Sequence, residues 1–215
     1  QALFDAARAQ MPKIGAEQGA RTFGDIAYNY APFIGAIGVR FPSARVIAMF
    51  RNGVDFVRSA TQISGIDETP VGWAPNGKEL NAVEKFVALG RLAPRADSDL
   101  SSRWEQMDHF ARNAWLWAET NRAILSGIAR RPAGSTLVLR FETFFSDPAA
   151  HFPAVRRFLG LPGDAAPEAL QRLSSPINRR ERKAIGPLET WSAAQRECFA
   201  TLAGSAMREL DYAMP

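Results

Sequence analysis

The stretch Ala44-Arg-Val-Ile-Ala-Met-Phe50, running into Arg51-Asn52-Gly53 and then Val54-Asp-Phe-Val-Arg-Ser59, decides the fold. A short continuous apolar run bounded by turn residues fits a buried strand of a parallel sheet, where the alternation of a half-solvated antiparallel strand is absent. Arg-Asn-Gly is a turn signal, and Val54, Val57 and Ala60 recur behind it at helical spacing, so the unit reads as strand, turn, helix. Ser135-Thr-Leu-Val-Leu-Arg-Phe141 has the same strand character, with β-branched and apolar residues, after the breaker Arg131-Pro132-Ala133-Gly134. Strands separated by helices predict a helix-rich, three-layer α/β fold with a parallel sheet flanked by helices.

Working outward, residues 3–18 read as a helix, and a second opens near Ala31-Pro32, where proline suits a first turn, and runs through Ile34, Ile37 and Val39 to the stop at Phe41-Pro42. A long helix is expected from about Trp104 to Arg130, with Trp104, Met107, Phe110, Ala111, Ala114, Trp115, Ala118 and Leu125 at helical spacing. Asp147-Pro148 starts another, which ends at Gly160 before Pro162. A last helix carries Phe199, Leu202, Ala203, Ala206, Met207 and Leu210 along one face. Ser64 to Lys78, Ala93 to Ser102 and the basic stretch Ser174 to Gly186 read as loops. Two parallel strands alone make a poor sheet, so a further strand-loop-helix unit ahead of Gln1 is expected beside the Ala44 to Phe50 strand.

Composition bounds the function. A chain of 215 residues, 47% of them hydrophobic, builds a core as one domain, residues 1–215. The net charge of +4 does not compel nucleic-acid binding, and no face pairs spread arginines with stacking aromatics, so a nucleic-acid partner is not expected. It does favour an anionic ligand wherever arginines cluster. The single Cys198 excludes an internal disulfide, and its spacing from the two histidines does not resemble a zinc site. No metal is expected, and a cytoplasmic compartment fits. No apolar run approaches the roughly 18 residues of a membrane span.

Three segments resemble, in order, the cofactor motifs of the sulfotransferase family, which uses 3′-phosphoadenosine 5′-phosphosulfate. In Phe41 to Ser59, a strand leads to an arginine, a short turn and a helix bearing a serine. A guanidinium at a strand end and a hydroxyl two turns into the next helix can face one anion, and the resemblance gives Arg51 and Ser59 the 3′-phosphate. Read without it, Arg51 is a surface arginine at a strand end and Ser59 a small packing residue.

Leu137 to Pro148 and Ala154 to Pro162 are similar to the family's strand ending in an aromatic-Glu-Asp unit, an Asp-Pro turn and a helix closing on Phe-Leu-Gly-Leu-Pro. Here Thr143 stands for the usual acid, and Phe141 for the tyrosine near the adenine, although a core role fits any strand aromatic. Finally, Asn178 to Gly186 followed by Trp191 is similar to the family's basic loop over the 3′-phosphate, which makes Arg179, Arg180, Arg182 and Lys183 candidate phosphate contacts, any of them equally a solvated surface cation.

The resemblance implies a P-loop nucleotide-binding-like fold without the N-terminal phosphosulfate loop, the donor above, no metal, and a small-molecule or carbohydrate acceptor offering a hydroxyl or amine. Asp25, in Thr22 to Asn29 just upstream of the first motif, is the candidate base, with an N-cap role as its alternative. His109, inside the expected long helix, reads as packing or surface, and Trp73 as a residue that stacks on the acceptor. A non-catalytic sulfotransferase-like fragment and a kinase of related α/β fold are the competing readings. The second lacks support in Phe41 to Ser59, where arginine and serine come with no adjacent metal-binding acid.

Overall fold

The computed structural model describes residues 22, 24–26, 28–64, 73, 79, 91–174 and 185–215. The helix expected over 3–18 lies outside these residues. Val46–Phe50 forms strand β1, followed after two residues by helix α2, Gly53–Ser64. Upstream, Tyr28–Phe33 makes a 3-10 turn that passes into helix α1, Ile34–Arg40. Thr136–Arg140 forms β2, which pairs with β1 in parallel and in register from Val46 opposite Thr136 to Phe50 opposite Arg140. The result, among the described residues, is a helix-rich α/β arrangement around a small parallel sheet. Because the strands stop level with each other, residues 51 and 141 leave the sheet side by side.

Helix α3, His109–Ala129, begins later than its apolar period suggests. Ser101–Gln106 is a separate 3-10 turn, and Met107 and Asp108 are extended. The Asp108 carboxylate accepts the Ala111 N–H at 2.8 Å and so caps α3, a local bond that outcompetes continuation of the helix. Trp117 rather than Trp115 faces the core, because Phe110, Ala114, Trp117 and Ala118 form the stripe that is buried. The half-buried Trp115 meets the Trp104 ring edge-on at 5.2 Å.

Downstream of β2, helix α4 spans Phe141–Ser146 and helix α5 spans Pro148–Leu159, with Asp147 accepting the Ala150 N–H at 3.0 Å as its cap. Gly160 closes α5 at φ 67°, a left-handed conformation that favours glycine. Helix α6 is Pro167–Ser174 and α7 is Ala193–Glu209, the latter opened by a capping box between Ser192 and Gln195.

The core joins three helices: Val54 and Val57 of α2, Phe110, Ala114 and Trp117 of α3, and Phe199, Ala203, Ala206 and Met207 of α7. Trp191 fills the space between them, 4.9 Å from the Phe110 ring and 5.5 Å from Phe199. The sheet departs from expectation in its burial. Ala48 and Phe50 are buried, but Ile47 and Met49 keep 37% and 38% of their surface exposed. A run apolar at every position offers both faces for burial without fixing which is covered. Among the described residues, no helix is long and apolar enough to cross a membrane.

Candidate functional site at the strand ends

In parallel sheets, ligand sites form beyond the carboxyl ends of the strands, where loops diverge and helix N-termini point inward. Here those ends carry Arg51 and Phe141. The Arg51 guanidinium lies over the Phe141 ring, 5.0 Å from its centroid. Its Nε is buried without a hydrogen-bond partner, and among the described residues no carboxylate pairs with it. The Arg51 main chain, by contrast, is held: its carbonyl accepts the Trp117 indole N–H at 2.9 Å, which ties the strand end to the core.

The turn after β1 is fixed by Asn52. Its Oδ1 accepts the N–H groups of Val54 at 2.9 Å and Asp55 at 3.4 Å, satisfying donors at the start of α2. Gly53 is needed there for close approach: a Cβ would lie 3.0 Å from Met207 Sδ and from Phe199 Cζ, and 3.1 Å from Trp117 Cδ2. The Asn52 N–H donates to Glu142 Oε1 at 2.7 Å, so the turn after β1 is bonded to the first turn of α4. Phe141, which begins α4 instead of ending β2, also packs on Phe145 with ring centroids 4.5 Å apart.

Tyr212 completes the cluster from the C-terminal side. Its hydroxyl lies 3.0 Å from Glu142 Oε2 and 3.2 Å from the Phe50 carbonyl, and shares its proton between these acceptors. Burial, and then the Glu142 carboxylate, push this phenol well above the ordinary tyrosine range, with Arg140 pulling it partly back.

Of the residues named from sequence, the fold brings Arg51 and Phe141 together. Ser59 is half-buried on α2, roughly 9 Å along the helix from Gly53 at about 1.5 Å per residue. Among the described residues, no hydrogen bond joins it to Arg51. Asp25 is exposed and engaged locally: Oδ1 accepts the Ile26 N–H at 2.8 Å and Oδ2 accepts the Tyr30 hydroxyl. That hydrogen bond, then burial, then the carboxylate's charge raise the Tyr30 pKa. No described contact links Asp25 to Arg51 or Phe141. Arg179, Arg180, Arg182 and Lys183 lie outside the described residues.

His109 is the exposed first residue of α3. Trp73 donates its indole N–H to the Leu92 carbonyl at 2.7 Å and meets Trp104 edge-on at 5.3 Å, so its ring has a partner within the chain.

Sequence reasoning missed the positions of Asn52, Trp117, Glu142 and Tyr212 in the site. An asparagine just before a helical period is an N-cap signal in its own right and marks Asn52. The other three depend on contacts between residues 66 to 162 positions apart, which no local pattern encodes.

No family model matches the chain, and no curated protein does. Among solved structures, the chain is similar to one titled "Sulfotransferase Domain from the Curacin Biosynthetic Pathway", at 16% sequence identity and a TM-score of 0.49. The similarity covers 86% of this chain and 61% of that one. A likeness of this degree carries neither a residue role nor an activity across to this chain.

Proposed function

We propose that the chain is a single sulfotransferase-like domain, with a three-layer P-loop-like core, that binds 3′-phosphoadenosine 5′-phosphosulfate at the carboxyl edge of β1 and β2. The observation that carries this reading is the Arg51 guanidinium, its Nε buried without an acceptor, stacked against Phe141 where the two strands end. An unsatisfied buried donor costs about 1–3 kcal/mol, more when charged, and a phosphate meeting the outer guanidinium nitrogens would offset part of that cost through its charge. An aromatic ring beside that anion gives a purine a face to stack on.

In this reading Arg51 and Ser59 hold the 3′-phosphate, Phe141 faces the adenine, and one or more of Arg179, Arg180, Arg182 and Lys183 closes over the phosphate. The donor supplies the sulfuryl group, which passes to a hydroxyl or amine of a small-molecule or carbohydrate acceptor. Asp25 takes the acceptor's proton. Each Asp25 oxygen accepts one hydrogen bond and keeps a further lone pair for that purpose.

Calorimetry with 3′-phosphoadenosine 5′-phosphate tests the reading directly, with adenosine 5′-monophosphate as the control lacking the 3′-phosphate. Arg51→Ala is expected to weaken the first ligand about 10- to 150-fold, the worth of a hydrogen bond to a charged group, and to leave the second unchanged. Wild-type protein that binds neither ligand overturns the assignment.

A further inference from the structure

The β ladder ends at Phe50 opposite Arg140, so strand pairing does not fix Arg51 and Phe141 relative to each other. Beyond the stacking of Arg51 on Phe141, the described hydrogen bonds that tie the two turns together converge on Glu142 and Tyr212. One Glu142 oxygen takes the Asn52 N–H on the β1 side at 2.7 Å, and the other takes the Tyr212 hydroxyl at 3.0 Å. That hydroxyl also lies 3.2 Å from the Phe50 carbonyl.

The geometry points to Tyr212 as a positioning residue. Acting through Glu142 and the Phe50 carbonyl, the C-terminal tail latches together the two strand-end turns and so sets the spacing of the Arg51–Phe141 site. This inference rests on the ligand reading above for its consequence in binding, but its structural content stands apart from any ligand.

The tail is aimed at the sheet by several independent contacts. Asp211 takes φ 56°, a left-handed turn uncommon for a non-glycine residue, and the Tyr212 N–H donates to the Met207 carbonyl at 2.8 Å. Arg140, the last residue of β2, stacks over the Tyr212 ring at 4.9 Å. Its Nη2 donates to the Leu210 carbonyl at 2.8 Å and the Asp211 carbonyl at 3.1 Å, and pairs with the Asp211 carboxylate at 3.2 Å. The ring is therefore held without help from its hydroxyl. The hydroxyl, kept protonated by burial and by Glu142, is left to bridge the turns.

Tyr212→Phe isolates the latch, since it keeps the ring and its Arg140 contact and removes only the bridging hydroxyl. Two readouts separate the claims: hydrogen exchange at the Asn52 amide, and binding of 3′-phosphoadenosine 5′-phosphate. Exchange at Asn52 is expected to quicken roughly two- to tenfold, the worth of one net hydrogen bond, while core amides of α3 and α7 keep their wild-type rates. Ligand affinity is expected to fall by a similar factor in the wild-type background and by nothing further in Phe141→Ala.

Glu142→Gln, which still offers an oxygen to Asn52 and an amide to the phenol, should retain slow exchange at Asn52. It also decides the matter if Tyr212→Phe does not fold. The latch is overturned if exchange quickens uniformly through the core, if Asn52 is unaffected in Tyr212→Phe, or if Glu142→Gln loses the protection. If the wild-type protein binds no ligand, the proposed function fails alone, because exchange at Asn52 still reads the latch.

Discussion

Replacing Gly53 by alanine sets two opposed effects against each other at the first residue of α2. Alanine is the better helix former by up to about 1 kcal/mol in a helix interior, and by less in a first turn. Against this, the new methyl would stand 3.0 Å from Met207 Sδ, 3.0 Å from Phe199 Cζ and 3.1 Å from Trp117 Cδ2, where carbon contacts settle near 3.5–4.0 Å. Phe199 and Met207 are fully buried, and Trp117 is tethered through its indole N–H to the Arg51 carbonyl, so only the Met207 thioether yields readily. Overpacking of this kind costs about 1–3 kcal/mol, which leaves a net loss of roughly 1–2 kcal/mol. For a chain of this size that is about 2–8 °C in Tm. Urea unfolding should show a lower midpoint at unchanged slope. A midpoint equal to or above wild type would mean that α2, α3 and α7 do not meet at Gly53 as closely as the packing implies.

Gly160→Ala forces a Cβ into a left-handed position at φ 67° and should cost about 1 kcal/mol, seen as a lower melting temperature, with an unchanged melt refuting the need for that closure of α5. Alkaline titration gives the other prediction. Tyr212 and Tyr30 have raised pKa values, so near and above the ordinary phenol value of about 10 the folded chain binds more protons than the unfolded one. Their stabilising contribution is fully present below that pH and is lost as pH rises beyond it through the raised folded-state values. The urea midpoint should fall above about pH 10, and Tyr212→Phe should flatten part of the fall. A variant that keeps the whole slope removes Tyr212 from the account.

What was legible in the sequence was whatever local chemistry decides. The apolar run Ala44 to Phe50 and the β-branched run Ser135 to Phe141 gave the two strands, within a residue or two of their observed bounds. Asp147-Pro148 and Gly160 gave both ends of α5, through an N-cap and a left-handed closure. The break at Met107 and Asp108 was hidden, because the apolar period runs unbroken across it and only the Asp108 side-chain bond interrupts the helix. The choice of Trp117 over Trp115 was hidden for a related reason. Residues two apart on a helix point to different sides, and which side is core depends on where α2 and α7 pack. In the site, the Arg51–Phe141 pair was anticipated as two residues serving one ligand. The bonds that fix them come from Trp117, Glu142 and Tyr212, which approach from other parts of the chain.

Those bonds also bear on why Arg51 keeps its charge available. Glu142 reaches the main chain of the residue next to Arg51, and a carboxylate there could form an ion pair with the half-buried guanidinium. Here it does not: one oxygen is occupied by the Asn52 N–H and the other by the Tyr212 hydroxyl, while Arg51 Nε keeps no acceptor. An internal Arg51–Glu142 pair would satisfy both groups and leave an incoming anion to compete with a carboxylate already in place. Directing Glu142 toward neutral donors removes that competitor. The guanidinium is left stacked on Phe141, where its charge is unneutralised by a carboxylate among the described residues and its cost of burial is offset only in part by the ring. The phenol therefore both spans the two turns and occupies the second Glu142 oxygen.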